Sequence, residues 1–190
     1  MPNKIIVAIT GASGSIYAKH LLEQLTKLKD GPKEISLIFS DSGKKVWDYE
    51  IESQIVESKI IHQYAYNDFF APVASGSAGY DAMVIIPCSM GTLGRIASGT
   101  SEDLISRAAD VTLKERKKLI LVTREAPLNL IHIENMKTIT LAGGIIYPAS
   151  PSFYSKPSSK EELELTVVKR VIDILGFESD VKRWGGHNLL

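Results

Sequence analysis

The sequence predicts a single α/β domain built on a parallel β-sheet with helices on both faces. Short apolar runs of strand length alternate with longer helical patterns along the chain, and this alternation is typical of such sheets. The length of 190 residues suits one well-buried domain and is short for two. We assign residues 1–176 to the domain. Residues 177–190 lack clear periodicity, so we expect a tail that packs near the functional site or against a neighbouring subunit.

The first strand runs directly into a glycine-rich turn. Ile5, Ile6, Val7 and Ile9 form its apolar run, and T-G-A-S-G at 10–14 leads into an amphipathic helix. Such a turn lets backbone N–H groups approach an anion at a helix N-terminus, where the helix dipole favours negative charge. The same pattern also caps helices that bind no ligand, so both interpretations remain open at this point.

The remaining elements continue the alternation, and the last helix has the clearest start. Ser158 and Ser159 are candidate caps, and Glu161 and Glu162 lie in its first turn. The predicted strands are Lys4–Thr10, Glu34–Ser40, Met83–Pro87, Leu119–Thr123 and Gly144–Tyr147, with a weaker strand near Lys59–Gln63. The predicted helices are Gly14–Lys29, Ser42–Trp47, Ser89–Ser98, Glu102–Glu115, Leu128–Leu141 and Lys160–Leu175.

Composition excludes several classes of function. Lys and Arg together number 22, as do Asp and Glu, so no net charge favours nucleic acid or an anionic membrane as a partner. The single cysteine, Cys88, cannot form an intramolecular disulfide and fits a reducing compartment. No apolar run approaches the roughly 20 residues of a membrane helix, and Met1–Lys4 leads straight into a strand. We therefore expect a cytoplasmic protein.

Polar loops follow four of the predicted strands, where ligands of open parallel sheets bind. They are residues 10–14, 40–43, 87–93 and 123–127. In the third loop, Ser89 and Thr92 either join backbone donors around a phosphate, or Ser89 is an ordinary helix cap. In the fourth, Arg124 and Glu125 form either a structural ion pair or a ligand contact.

Several familiar sites are missing from the sequence. No tyrosine has a lysine four residues later, as a short-chain dehydrogenase requires, and no Walker A motif occurs. His20, His62, His132 and His187 are scattered without metal-ligand spacing, so we predict no metal site. Cys88 has no base nearby in sequence and is interpreted as a small buried residue.

Ordered motifs along nearly the full chain resemble the UbiX-type flavin prenyltransferases. The matching segments are T-G-A-S-G (10–14), Ser40, N-D-F-F-A-P-V-A-S-G-S (67–77), P-C-S-M-G-T-L (87–93), R-A-A-D-V-T-L-K-E-R (107–116), R-E-A-P-L-N-L-I-H-I-E-N-M (124–136), P-S-F-Y (151–154) and R-W-G (183–185). The resemblance implies a flavodoxin/Rossmann-like fold and a homododecamer whose sites are shared between subunits.

The resemblance also implies the reaction. Enzymes of this family transfer a dimethylallyl group from dimethylallyl phosphate to reduced FMN, forming bonds at flavin N5 and C6, without a metal. The prenylated FMN then serves a UbiD-type decarboxylase. Residues 1–176 would accordingly form a flavin-binding domain.

Site residues carry over from the family position by position. The FMN contacts would be Gly11, Ala12, Ser13, Ser40, Ser89, Met90, Gly91, Thr92 and Arg124. The dimethylallyl-phosphate contacts would be Lys114, Glu125, Tyr154, Arg170 and Trp184. The catalytic residues would be Ser13, Glu50, Lys114, Glu125, Tyr154 and Arg170, with Ser13 and Glu50 handling flavin protons. The other four suit a leaving phosphate, because breaking an allylic C–O bond builds negative charge on it.

Two alternative functions remain open. One is a flavin-dependent decarboxylase of the related cysteine-decarboxylase group, which carries a catalytic histidine early in the chain; here the early histidine, His20, falls inside the first helix. The other is a non-catalytic flavin carrier. A carrier has no need for a second phosphate site, so the four residues assigned to the prenyl phosphate argue against it. The chain also departs from the family at Phe69, often tryptophan, and at residues 41–43, which leaves substrate details open.

Overall fold

The computed structural model describes residues 1–179, and all six predicted strands and all six predicted helices are confirmed within it. The strands are β1 (Lys4–Ile9), β2 (Glu34–Phe39), β3 (Ile61–Tyr64), β4 (Ala82–Cys88), β5 (Lys118–Thr123) and β6 (Ile145–Pro148). The helices are α1 (Ser15–Lys27), α2 (Asp41–Glu50), α3 (Met90–Ala97), α4 (Leu104–Lys114), α5 (Leu130–Leu141) and α6 (Lys160–Leu175). Within residues 1–179, none of the helices has the length and apolarity needed to cross a bilayer.

The six strands form one parallel sheet in the order β3-β2-β1-β4-β5-β6. This is the strand order of a Rossmann-type sheet. Of the two topologies that the sequence analysis expected, flavodoxin-like and Rossmann-like, the chain therefore has the Rossmann-like one. The chain proceeds outward from β1 to β2 and β3, then returns to the other side of β1 as β4. Ligands bind at the carboxyl edge where such a reversal occurs, and here that point lies between β1 and β4.

The four inner strands, β2, β1, β4 and β5, are buried on both faces, which explains why they are nearly continuous apolar runs. The edge strand β3 exposes His62 and Gln63. Alternate residues of β1 point to opposite faces: Ile5, Val7 and Ile9 belong to one core cluster, and Ile6 and Ala8 to the other. The first cluster is covered by α1, α2 and α6, and the second mainly by α3, α4 and α5. Because helices return on both faces, loops from both layers meet at the carboxyl edge.

The helix starts follow local capping chemistry. Ser159 caps α6 by accepting a hydrogen bond from the Glu162 N–H at 3.1 Å, as its sequence predicts. The same helix ends at Gly176, whose φ of 101° lies in the left-handed region that glycine tolerates. Phe177 follows and is buried in the first core cluster, so packing extends one residue past the 1–176 division. Trp184 and most of the predicted tail lie outside the described residues.

Candidate active site

Thr10 fastens the carboxyl ends of β1 and β4 together. Its hydroxyl donates to the Pro87 carbonyl at 2.7 Å and accepts from the Ser89 N–H at 2.8 Å. Its own N–H also donates to the Pro87 carbonyl, at 3.3 Å. The loops after β1 and β4 therefore keep a fixed separation. Our sequence analysis assigned Thr10 no role, although a threonine directly ending an apolar strand is a detectable signal.

The N-terminus of α1 is occupied by a carboxylate of the chain itself. Glu50, the last residue of α2, accepts hydrogen bonds from the N–H groups of Gly14 and Ser15 at 2.8 and 2.9 Å through the same oxygen. Gly14 has a φ of 113°, and this conformation presents both N–H groups to one acceptor. These two donors of the glycine-rich turn are thus engaged by Glu50 and not held ready for a phosphate.

Glu50 and Ser13, both predicted catalytic residues, are brought together here. Burial raises the pKa of Glu50, but hydrogen bonds from the Ser13 hydroxyl and the Gly14 and Ser15 N–H groups outweigh it, so the pKa lies below its ordinary value. The carboxylate is therefore ionised at neutral pH. Ser13 is exposed at the edge of the sheet, and its hydroxyl lies beside the half-buried Glu50 carboxylate. Such a pair can accept a proton and pass it inward.

The loop after β2 packs tightly against the glycine-rich turn. Ser40 caps α2 by accepting from the Gly43 N–H at 3.0 Å, and its hydroxyl lies 3.2 Å from that of Ser42. Gly11 sits against Ser42 so closely that a Cβ at position 11 would lie 2.5 Å from the Ser42 Oγ. A glycine at position 11 is therefore required by the close approach of the two loops.

The N-terminus of α3 keeps backbone donors that its own helix does not use. Ser89 caps the helix by accepting from the Thr92 N–H at 3.3 Å, and its hydroxyl lies 3.1 Å from the Thr92 hydroxyl. The N–H groups of Met90 and Gly91, in the first turn, have no partner within the helix. The cap and the phosphate-binding interpretations of Ser89 are therefore compatible. The structure thus favours α3 over α1 as the anion-binding helix.

Arg124 and Glu125 at the end of β5 do not pair with each other. The Arg124 Nε donates to the Ser13 carbonyl at 3.0 Å, which ties the β5 loop to the glycine-rich turn. Glu125 accepts from the N–H of Ala126 at 3.1 Å. Both side chains are exposed, so they remain available to a ligand at this edge.

A cleft of about 490 Å³ lies between the loop after β6 and helix α6. Tyr154 and Arg170, predicted prenyl-phosphate contacts, line it together with Tyr147 and Lys169. Burial raises the pKa of Tyr147; Arg170 opposes the rise, and Tyr154 and Tyr17 add to it. Our sequence analysis did not name Tyr147 or Lys169; Lys169 directly precedes Arg170 in the sequence.

This cleft adjoins the carboxyl edge of the sheet. The N–H of Ala149, in the loop after β6, donates to the carbonyl of Thr123 at the end of β5 at 2.8 Å. Burial raises the pKa of Tyr17, and the Arg124 charge opposes that rise. The cleft and the β1–β5 loops are therefore adjacent parts of one region.

Lys114 does not join this region within one chain. Lys114 is the last residue of α4. The N-cap residue at the other end of α4 is Asp103, whose Oδ2 lies 3.1 Å from the Arg95 Nε of α3. The helix has 11 residues and so carries Lys114 roughly 16 Å away, toward the amino edge of the sheet. There its ammonium pairs with Glu115 at 2.5 Å.

The described residues contain no group of three or more His, Cys, Asp or Glu side chains arranged to hold a metal ion. Cys88 is fully buried, which confirms its interpretation as a small buried residue, and burial raises the pKa of its thiol to about 12. His20 is also buried and lies 3.1 Å from Glu164. Both side chains are therefore inaccessible to a ligand at the carboxyl edge.

Comparisons with known proteins agree over the full chain. A family model described as Flavoprotein matches residues 1–172. The flavin prenyltransferase UbiX of Methanocaldococcus jannaschii is 50% identical over 185 residues, which is 96% of this chain and 98% of that protein. The crystal structure of AnUbiX (PadA1) in complex with FMN and dimethylallyl pyrophosphate has a TM-score of 0.88 and 39% identity, and the match covers 98% of this chain and 99% of that one. A dodecameric FMN-dependent UbiX-like decarboxylase from Escherichia coli O157:H7 has a TM-score of 0.89 and 36% identity, covering 96% of this chain and all of the other.

Proposed function

The chain belongs to the Flavoprotein family and, within it, to the UbiX-type flavin prenyltransferases, and from this premise we propose how its own residues carry the reaction. It transfers a dimethylallyl group from dimethylallyl phosphate to reduced FMN, at flavin N5 and C6. The observation that supports this most directly is the cleft between the loop after β6 and α6, which lies beside the carboxyl edge and is lined by Tyr154, Lys169 and Arg170. A flavin carrier would need no such site.

FMN fits the carboxyl edge with its phosphate at α3. The first-turn N–H groups of Met90 and Gly91 and the hydroxyls of Ser89 and Thr92 form a suitable donor set for a phosphate. The first turn of α2 contains Asp41, which would repel a phosphate. The flavin ring would then lie toward Ser13 and Arg124, with Gly11, Ala12 and Ser40 shaping the edge.

Two groups of residues take part in the reaction, one at the leaving phosphate and one at the proton released on ring closure. Arg170 and Lys169 supply positive charge to the leaving phosphate, and Tyr154 supplies a hydroxyl donor, with Glu125 available as a hydrogen-bond bridge. Ring closure at C6 releases a proton. Ser13 with the ionised Glu50 is the pair suited to take it, because the carboxylate already accepts the Ser13 hydrogen bond. The protein otherwise orients two substrates and excludes water.

Lys114 would act on the site of a neighbouring copy. It lies at the far end of α4 from its own site, so its predicted phosphate contact requires a second subunit. Helix α5 offers an assembly surface, since Leu130, Ile131 and Leu141 are 70–80% exposed. The E. coli relative is a dodecamer, and we infer a homododecamer for this chain too. Trp184 stays a predicted prenyl-site contact.

The proposal also covers metal use, the cellular compartment and the partner enzyme. The donor set at both sites consists of N–H, hydroxyl and cationic groups, so the reaction needs no metal. The single buried thiol of Cys88 fits a reducing, cytoplasmic compartment. The product, prenylated FMN, would serve a UbiD-type decarboxylase.

The alternative is a decarboxylase, because the E. coli relative is described by that activity. The cysteine-decarboxylase group uses an early histidine, but His20 is only 7% exposed and is paired with Glu164. It cannot reach a substrate at the carboxyl edge without unpacking α1 from α6.

Mass spectrometry of the flavin distinguishes these functions. Protein incubated anaerobically with reduced FMN and dimethylallyl phosphate, in EDTA, is expected to yield a flavin heavier by one C5H8 unit, with release of inorganic phosphate. Heat-denatured protein is the control. Unmodified flavin after incubation with folded, FMN-loaded protein would contradict the proposal. Release of CO2 from a peptide with a C-terminal cysteine would favour the decarboxylase.

A further inference from the structure

Arg95 of α3 points back toward the first turn of its own helix. Its Nη2 donates to the Thr92 hydroxyl at 3.2 Å, and its Nη1 lies 3.8 Å from the position that a Cβ of Gly91 would take. This direction is the normal one for a long helical side chain. It brings a full positive charge to the helix end at which Ser89, Met90, Gly91 and Thr92 present their donors.

A buried carboxylate holds the guanidinium in this position. The Arg95 Nε donates to the Asp103 Oδ2 at 3.1 Å, and Asp103 is 5% exposed. Asp103 is itself fixed by the Ser106 N–H, which donates to its Oδ1 at 2.8 Å, and the Tyr66 hydroxyl lies beside this carboxylate. Burial and a hydrogen bond to Asp103 raise the pKa of Tyr66 to about 12, so the phenol remains a donor. Arg95 is therefore preorganised by groups from two other elements.

The guanidinium retains donors that the chain does not use. Arginine has five N–H groups, and within residues 1–179 its acceptors are Asp103 Oδ2 and Thr92 Oγ1, which leaves Nη1 beside the exposed Gly91. A cation at a helix N-terminus is unfavourable for the helix dipole, unless an anion joins it there. Asp103 already supplies one anion, and the Nη1 group remains available to bind a second anion at the helix end.

We propose that Arg95 is a phosphate-recognition residue, which distinguishes FMN from unphosphorylated flavin by binding the 5′-phosphate with the N-terminus of α3. This inference rests on the proposed function only in taking FMN as the flavin that binds at this edge. Asp103 is the positioning residue that keeps Arg95 turned toward the first turn of α3. A purely structural role, in which Arg95 only anchors α3 to Asp103, predicts no such discrimination.

The test compares the affinity for FMN with that for riboflavin, which lacks only the phosphate. In full-length protein, Arg95→Gln is expected to weaken FMN binding roughly 10- to 100-fold, as for loss of a hydrogen bond between charged groups, and to leave riboflavin binding unchanged. Arg95→Lys keeps the charge but lacks the planar guanidinium that can contact Asp103 and the phosphate together. An intermediate loss of FMN affinity is therefore expected. Lys29→Gln removes an exposed charge at the opposite edge of the sheet and is the matched control.

Each possible result supports or overturns the proposed role of Arg95 in phosphate recognition. A FMN-to-riboflavin preference that is the same in wild type, Arg95→Gln and Lys29→Gln overturns the inference, as does an equal loss of both affinities in a variant whose far-UV circular dichroism is native. If Arg95→Gln fails to fold, the Arg95→Lys ratio decides in the same way. A selective loss of FMN in protein that forms no prenylated flavin would support the role of Arg95 and contradict the proposed reaction instead.

Discussion

At the scale of single residues, Glu50 has the widest influence on the site. Its carboxylate satisfies two N–H groups at the start of α1 and orients Ser13, so one charge serves both the helix and the proposed proton transfer. Because its pKa is lower in the folded protein than in the unfolded chain, folding is favoured by its ionised form. That contribution is complete above the ordinary pKa of glutamate and disappears as the pH falls through the lowered folded value.

Glu50→Gln is therefore expected to destabilise the protein at neutral pH and to have little effect in acid. We expect a loss of about 1 kcal/mol at pH 7, because the amide oxygen still accepts a weaker hydrogen bond from the N–H groups. The prenylation rate should fall further than FMN affinity, since the base for the Ser13 proton is gone. Urea unfolding of both proteins between pH 3 and pH 7 measures the first effect; an equal gap in stability across that range would contradict it.

Arg170 and Tyr154 should separate prenyl transfer from flavin binding. Arg170→Ala removes charge from the leaving phosphate and is expected to cost about 2–4 kcal/mol, or roughly 30- to 1000-fold in rate, with FMN affinity unchanged. Tyr154→Phe removes one neutral donor and should be milder. Single-turnover flavin prenylation with parallel FMN titration measures both. Lys160→Ala, on the exposed face of the same helix, is the control. Loss of FMN by both variants would mean that the cleft only supports the flavin pocket.

The sequence predicted individual site residues unevenly. Ser13, Ser40, Ser89 and Arg124 all follow strand ends, so the fold alone brings them to one edge. The hydrogen bonds from Gly14 and Ser15 to Glu50 join residues about 35 positions apart, and no local pattern announces such a contact. Only the family resemblance selected Glu50.

At the scale of secondary structure, Thr10 couples β1 to β4. Thr10→Val keeps the shape of the side chain but leaves the buried Pro87 carbonyl and the Ser89 N–H without this partner. We expect a loss of about 1–3 kcal/mol in the free energy of unfolding, together with weaker FMN binding, because α3 starts at Ser89. Thr10→Ser retains the hydroxyl and should remain close to wild type. Denaturant unfolding and FMN titration test this; two variants of equal stability would contradict it.

The elements themselves were predictable because local and global signals agree. The four inner strands are buried on both faces and so appear as nearly unbroken apolar runs. Ser40, Ser89 and Ser159 cap α2, α3 and α6 where the sequence places polar residues. The order of the four inner strands was not predictable from these runs, since β1, β2, β4 and β5 are similarly apolar, whereas the polar His62 and Gln63 of β3 are typical of an edge strand. Nor was the choice of anion-binding helix: α1 and α3 both follow polar turns, and only the position of Glu50 distinguishes them.

At the scale of the whole molecule, a shared site explains the position of Lys114. Two observations indicate that several copies of the chain assemble: Lys114 lies at the amino edge of the sheet, and α5 buries only Ile139. An apolar helix that is exposed on most sides is stable in water only when a further surface covers it. We therefore expect oligomer contacts to cover α5 and to bring Lys114 of one copy to the cleft of another.

Mixed oligomers test the shared site directly. Lys114→Ala and Arg170→Ala should each have little activity alone, because every site lacks one cation. If the two residues of a site come from different copies, random co-assembly in equal amounts restores both cations in about one quarter of the sites, so activity should reappear. Co-expression with two affinity tags, followed by tandem purification and prenylation assay, makes this measurement. Arg170→Ala mixed with Tyr154→Phe is the control, since both residues line the cleft of one chain. Its random mixtures form no site that is fully wild type. Activity no greater than the average of the two parents, in verified mixed oligomers, would mean that Lys114 does not act across the subunit boundary.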